Sequence, residues 1–329
     1  MVMAFRKIQI GKEATRGTKV AATKVLLGRL TVTPKLGLYM PEDEDRNSLA
    51  AVHRRTIQSQ DLDWSFDGSL SYDQIIYFLA MNLKGAVTPT TPGGGVTSRD
   101  WTFTPALAAV NTHDTYTVEH GDNTQEYEFG FGVGTGLELT YALGEVVALS
   151  ATGIGQFHAK SSFTGALAAP TNFDDVVAQK TKLYLDTTWA GLGTTQQLAL
   201  INAVVRLPPA IQPNRVADGA LDFSHLNEIK RAAEVELTFR HIAAGVTEYD
   251  RWVSGGQVFA RLESTGPLIE GALNKLFRVD LALRYTGEPE MLAESNGENV
   301  IRLTARTFPD VTSGNDMSVM ARNVETTLG

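Results

Sequence analysis

The chain has 329 residues, 29 Lys and Arg against 37 Asp and Glu, a net charge of −8 and no cysteine. The acidic balance argues against a surface built to grip phosphate, and the missing cysteines exclude disulfides, thiolate metal sites and cysteine nucleophiles. The longest apolar run, Ile75 to Met81, is far short of the roughly 20 residues a membrane-spanning helix needs, so no helical span is expected.

The chain opens on "IQIGKEATRGTKVAAT" (Ile8–Thr23), where Lys12, Glu13, Arg16 and Lys19 interrupt every apolar run. That is not the pattern of a secretory leader, and the segment, about 1–24, is expected to be an exposed arm kept flexible by Gly11 and Gly17. "RLTVTP" (Arg29–Pro34) reads as a strand. "PEDEDRNSLAAVHRR" (Pro41–Arg55) moves from acidic to basic and reads as a long loop; its run Glu42 to Asp45 lacks the alternating spacing of a calcium loop. In "DLDWSF", Leu62, Trp64 and Phe66 alternate with Asp61, Asp63 and Ser65, the mark of a strand with one buried face.

"SYDQIIYFLAMNLKG" (Ser71–Gly85) predicts a helix, with Ser71 and Gln74 as a capping box and Gly85 as the stop. A second long loop, "GAVTPTTPGGGVTSR" (Gly85–Arg99), follows. "GFGVGTG" (Gly130–Gly136) lacks dinucleotide-loop spacing and runs into the strand Leu137, Leu139, Tyr141, so it predicts a turn or bulge with positive φ. "SSFTGALAAPTNFDD" (Ser161–Asp175) is the best domain boundary. Beyond it, Val235, Leu237 and Phe239, then Phe277 to Tyr285, then Ile301 and Leu303 alternate again. "TEYDRWVSGG" predicts a second helix capped by Thr247 and stopped at Gly255.

The order of strand, strand and capped helix at Arg29–Pro34, Asp61–Phe66 and Ser71–Gly85 recurs at Asn202–Pro209, Glu234–Phe239 and Thr247–Gly255. Together with a length prior of about 100–200 residues per domain, it predicts a divergent duplication with domains 1–165 and 166–329. Chemistry finds no footing. No nucleophile elbow, phosphate loop or zinc-helix motif occurs, and the six histidines never fall in i, i+4 pairs, with only His113 and His120 close together. No catalytic residue, cofactor or metal is expected.

The segment "IGKEATRGTKVAAT", the strand "LDWSFDG" with its following helix, the Gly-rich turn, and "KLYLDTTW" with "GLGTTQQLALINAVV" resemble tail tube proteins of phages with long, non-contractile tails, in the larger two-domain form. The resemblance implies a mainly β fold of two tandem sandwich or half-barrel domains, each with a short flanking helix. It implies a structural virion protein, not an enzyme, assembled in the host cytoplasm as homotrimeric, pseudo-hexameric rings that stack into the tube conducting phage DNA. The implied partners are further copies of the chain, tail tip or initiator, tape measure and terminator proteins, and double-stranded DNA in passage, without a membrane span.

On that resemblance the contacts between rings fall to the arm, at Gly11, Glu13, Arg16, Gly17, Thr18 and Lys19, and to the loop 41–60, at Glu42, Asp43, Glu44, Asp45, Arg46, Arg54 and Arg55, with 85–99 as a further loop. Asp63, Glu138, Glu236 and Asp280, on polar strand faces, are the expected lumen carboxylates, and Arg278 and Arg284 share the face of Asp280. The competing readings are a β-sandwich enzyme or carbohydrate-binding protein, a trimeric porin, which the two apolar helices and the ending "NVETTLG" oppose, and another ring-forming tail component.

Overall fold

The alternating segments bury the side chains they predict: Leu62, Trp64 and Phe66, Leu137, Leu139 and Tyr141, Val235, Leu237 and Phe239, and Ile301 and Leu303 all lie in one continuous core. The computed structural model describes residues 5–42, 44–171, 173–295 and 297–329. Within them the protein is mainly β, its strands antiparallel, with two α-helices.

The first half contains β1 (Lys7–Lys12), β2 (Lys24–Val25), β3 (Arg29–Tyr39), β4 (Thr56–Ser69), α1 (Ile75–Asn82), β5 (Arg99–Phe103), β6 (Tyr116–Gly121), β7 (Glu126–Ala142), β8 (Ala148–Gly155) and β9 (Ala159–Ser161). The second contains β10 (Thr181–Asp186), β11 (Gln196–Gln197), β12 (Leu200–Leu207), β13 (Ile211–Asn214), β14 (His225–Glu228), β15 (Glu234–Arg240), α2 (Ala243–Ser254), β16 (Val258–Glu270), β17 (Leu273–Tyr285), β18 (Glu290–Ser295), β19 (Glu298–Thr307) and β20 (Met317–Asn323).

The pairing scheme of the first half recurs in the second. There β2 joins β1, β1 joins β6, β6 joins β7, β7 joins β8 and β9, β8 joins β4, and β4 joins β3. In the same sense β11 joins β10, β10 joins β16, β16 joins β17, β17 joins β19 and β20, β19 joins β15, and β15 joins β12. The registers agree locally: Leu30 faces Phe66 and Thr33 faces Asp63, as Leu200 faces Phe239 and Val204 faces Glu236. Strand β5 and the β13–β14 hairpin have no twin in the other half, while β18 lies beside β19 as the end of β7 lies beside β8.

One row of strands runs across both halves in the order β3, β4, β8, β7, β12, β15, β19, β18. Its middle is the joint between β7 and β12, where Leu139 faces Val205 and Glu138 faces Arg206. The halves are tied elsewhere as well. Strand β20 pairs with β5, and the buried Lys275 ammonium lies 2.6 Å from Asp73 and 2.9 Å from Asp174.

Helix α1 is buried along its whole length, with Phe78 against Phe66 at a ring separation of 4.7 Å. It starts later than the capping box predicts: the Ser71 hydroxyl accepts from the Asp73 amide, in a turn ahead of the helix. Helix α2 differs in the other direction. It begins at Ala243, so Thr247 is interior and its hydroxyl donates to the Ala243 carbonyl, while Gly255 ends the helix in the left-handed conformation as expected.

The Gly-rich run lies inside β7 rather than in a turn, and its register slips between Gly134 and Gly136. The positive φ belongs to Phe131, at 55°, not to a glycine. Gly134 is there for space: a Cβ would stand 2.1 Å from the Asn82 amide of α1.

Candidate functional site

The opening segment is not a free arm. Strand β1 is held between β2 and β6, and Glu13 is buried. Its carboxylate accepts from the Gly17 amide at 2.7 Å, the Thr115 hydroxyl at 2.8 Å, the Thr117 hydroxyl at 3.1 Å and the Phe131 amide at 2.8 Å. Buried charge is tolerated where every lone pair finds a donor, and Glu13 organises the return loop in that way. Glycine freedom is likewise not the point of Gly11, whose absent Cβ makes room for the Ala21 carbonyl; Gly17, at φ 75°, does supply a left-handed turn. Arg16, Thr18 and Lys19 are exposed; Arg16 reaches the His113 carbonyl at 3.2 Å and Lys19 pairs with Glu128 at 3.2 Å.

The second half repeats the device with a residue the sequence reading passed over. Asp186, at the end of β10, accepts from the amides of Gly193 and Thr195 and from the Thr194 hydroxyl at 2.8 Å. The signal was present as an acidic residue followed by Gly-Thr in both places, Glu13 with Gly17-Thr18 and Asp186 with Gly193-Thr194.

The loop between β3 and β4 spans 40–55, shorter than 41–60 because β4 begins at Thr56. Glu42, Asp45, Arg46, Arg54 and Arg55 are exposed, and Glu44 forms ion pairs with Arg46 and, at 2.6 Å, with Arg54. Asp43 lies outside the described residues. Loop 85–99 is anchored instead by the second half. The Glu270 carboxylate accepts from the amides of Val96, Thr97 and Ser98 at 2.7–2.9 Å, and the Ser98 side chain beside it, together with these amides, lowers its pKa to about 2.

The outward face of the long row carries charged residues on most of its strands. It carries Lys35 on β3, Asp63 and Asp67 on β4, Glu138 on β7, Arg206 on β12, Glu234 and Glu236 on β15, and Arg302 and Arg306 on β19. Most of these charges are paired across strands. Arg206 bridges Glu138 and Glu236 at 2.6 Å each, Arg306 meets Glu234 at 2.5 Å, Arg302 meets Glu290 at 2.7 Å, and Lys35 pairs with Asp63. Asp63, Glu138 and Glu236 therefore share one exposed face. Asp280 does not join them: it is buried, held by Arg261 at 2.7 and 2.9 Å and by Arg278 at 3.5 Å. The face carries charges of both signs, with Lys35, Arg206, Arg302 and Arg306 each paired to a carboxylate.

Both ends of the row are free. Among the described residues β3 pairs only with β4 and β18 only with β19, which leaves one backbone edge of each without a partner strand. Apolar side chains stand exposed on both, Leu36 and Leu38 on β3 and Met291 and Leu292 on β18. Exposed, unpaired edges of this kind invite another strand.

His120 stacks on Tyr127 and His158 with ring separations of 5.8 and 5.9 Å, and burial, with a smaller push from His158, lowers its pKa to about 4. His113 is buried elsewhere, and among the described residues no three His, Asp or Glu converge as a metal site would require. No known family model and no curated relative matches the chain.

Proposed function

We propose that the chain is a structural protein that closes edge to edge into rings, and that the rings stack into a phage tail tube of the kind its opening segment and its helix-bearing repeats resemble. One observation carries the reading: β7 and β12 already join two like-paired halves side by side, while the two ends of the same row, β3 and β18, are edges without partners. Repeating the internal joint between copies pairs β18 of one with β3 of the next, and the same rotation applied again closes a ring with no edge left.

In this reading the two halves are tandem tail-tube-like domains, 1–165 and 166–329. Three copies complete a six-domain circle, as the resemblance implies, in the tail of a virion assembled in the host cytoplasm, beside tip, tape measure and terminator proteins. The polar face of the row lines the channel. Lys35, Arg206, Arg302 and Arg306 are already paired with carboxylates, so a passing DNA duplex meets no run of free cations to hold its phosphates. The protein catalyses no reaction in this account.

The test is electron microscopy of the purified chain across a concentration series. Discrete rings or hollow tubes with a three-fold or apparent six-fold outline support the proposal. Monomers under every condition, including in the presence of a tail-tip initiator, contradict it.

A further inference from the structure

The connection between the two strands that precede the helix of each repeat differs between the halves. In the second half, Pro208 and Pro209 follow β12, and the chain leaves the sheet to form the β13–β14 hairpin. That hairpin does not cover its own half. Its tip crosses the joint onto the first half: Arg215 pairs with Asp61, the Leu221 carbonyl accepts from the Gln60 amide at 3.0 Å, and Asp222 accepts from the Gln60 side chain and the Phe157 amide at 2.8 Å each. Phe223 is buried against Phe131, ring to ring at 4.9 Å. The connection is a clasp laid by one repeat over the repeat before it.

The equivalent connection of the first half, 40–55, is bonded to no other repeat among the described residues, its ion pairs running from Glu44 to Arg46 and Arg54. Strands β3 and β4 project it outward, with Leu38, Tyr39, Met40 and Ile57 exposed on the hairpin and Leu49 and Val52 exposed in the loop. The surface it would hold is identifiable by register. Leu62 faces Gly155 as Val235 faces Ala305, so Asp61 corresponds to Glu234 and Phe157 to Thr307. Glu234 is an exposed carboxylate, and Phe308 and Val311, just beyond β19, are exposed apolar side chains.

We infer that 40–55 is a lateral clasp whose occupant is a second copy of this chain, lying over the start of β15 and the end of β19 of its neighbour in the same ring. Arg54 and Arg55 meet Glu234 as Arg215 meets Asp61, and Leu49 and Val52 cover Phe308 and Val311 as Phe223 covers Phe131. This rests on the ring reading above. It moves Glu42 to Asp45, Arg46, Arg54 and Arg55 from a contact between rings to a contact within one.

The test is replacement of Glu44–Val52 by a short Gly-Ser linker, read by mass photometry and electron microscopy. The expected result is a folded monomer, with circular dichroism unchanged, that fails to form rings at concentrations ten-fold above those at which the unaltered chain forms them. Rings that persist but no longer stack, or tubes that form as before, overturn the inference. Because the chain has no cysteine, the double variant Val52→Cys with Phe308→Cys gives an independent readout with a short bis-maleimide. Single rings should yield covalent oligomers, and each single variant should yield none; cross-linking confined to stacked tubes overturns the inference. An unaltered chain that makes no rings at all fails the ring reading itself, before either variant is made.

Discussion

Arg206 donates across the joint between the halves to Glu138, Nε to Oε2 at 2.6 Å, and the residue in the corresponding position of the first half is Lys35, at the free edge of β3. Arg206 also pairs with Glu236 on the strand behind it, and Lys35 pairs with Asp63 in the same way. The internal joint thus displays the contact that the proposed ring would repeat at the outer edge. All these side chains are more than a third exposed, so Arg206→Ala should lower stability by less than about 1 kcal/mol. Urea unfolding checks this, and a far larger loss would show that the joint depends on that one pair.

Edge variants should separate folding from assembly. Leu36→Lys and Met291→Lys place charge on the two unpaired edges, where each side chain is 38% exposed. Monomer stability should stay within about 0.5 kcal/mol, as is usual for surface substitutions, while sedimentation should show association lost. Variants that assemble like the unaltered chain would remove these edges from the interface.

Glu13→Ala should be among the most damaging changes to a single acidic residue. It leaves the Gly17 and Phe131 amides and the Thr115 and Thr117 hydroxyls without their acceptor, a loss of about 3 kcal/mol. Glu13→Gln, which keeps the shape and one acceptor oxygen, should lose less. Denaturant titration of both decides it, and a neutral Glu13→Ala would mean the loop is organised by something else.

Lys275→Met tests the tie between the halves. It removes the cation between Asp73 and Asp174 and leaves the buried Asp73 carboxylate short of its partner, at about 3 kcal/mol. Calorimetry should then show a lower melting midpoint. Recovery in the double variant Asp73→Asn with Lys275→Met, measured the same way, would identify the uncompensated charge as the cause.

Acid should weaken the fold through His120. Its pKa is lowered from 6.5 to about 4, so the unfolded chain takes up the proton first as pH falls. The neutral ring's contribution is complete above pH 6.5 and declines steadily as pH drops toward 4. His120→Phe, which retains the stack with Tyr127 and His158, should flatten the pH dependence of the urea midpoint in that window. An unchanged slope would assign it to other groups, His113 and His158 among them, whose values burial also lowers.

The strands were legible because a half-buried sheet writes its period into the sequence: Leu62, Trp64 and Phe66 need no knowledge of what they touch. The recurrence of strand, strand and helix was legible for the same reason, and the shared pairing scheme of the two halves extends it. Glu13 was not legible. A carboxylate among Gly, Thr and Lys looks solvated until Thr115, Thr117 and Phe131, about a hundred residues away, converge on it. The paired state of Glu138 and Glu236 was hidden likewise, because Arg206 meets Glu138 only through the joint between β7 and β12 and Glu236 only through the pairing of β12 with β15. Thr247 misled because a cap and an interior hydroxyl bonded back to the fourth residue before it look alike in one sequence.

The proposed pairing of β3 with β18 between copies can be read directly. The register of the internal joint, carried over through the matching strands, sets Thr33 of one copy opposite Ser295 of the next. In the cysteine-free chain, Thr33→Cys with Ser295→Cys should form a disulfide between copies on oxidation of assembled rings, giving a covalent ladder that ends at the closed ring. Rings seen by electron microscopy that stay uncrosslinked at this pair, or a chain that remains monomeric throughout, would contradict the account.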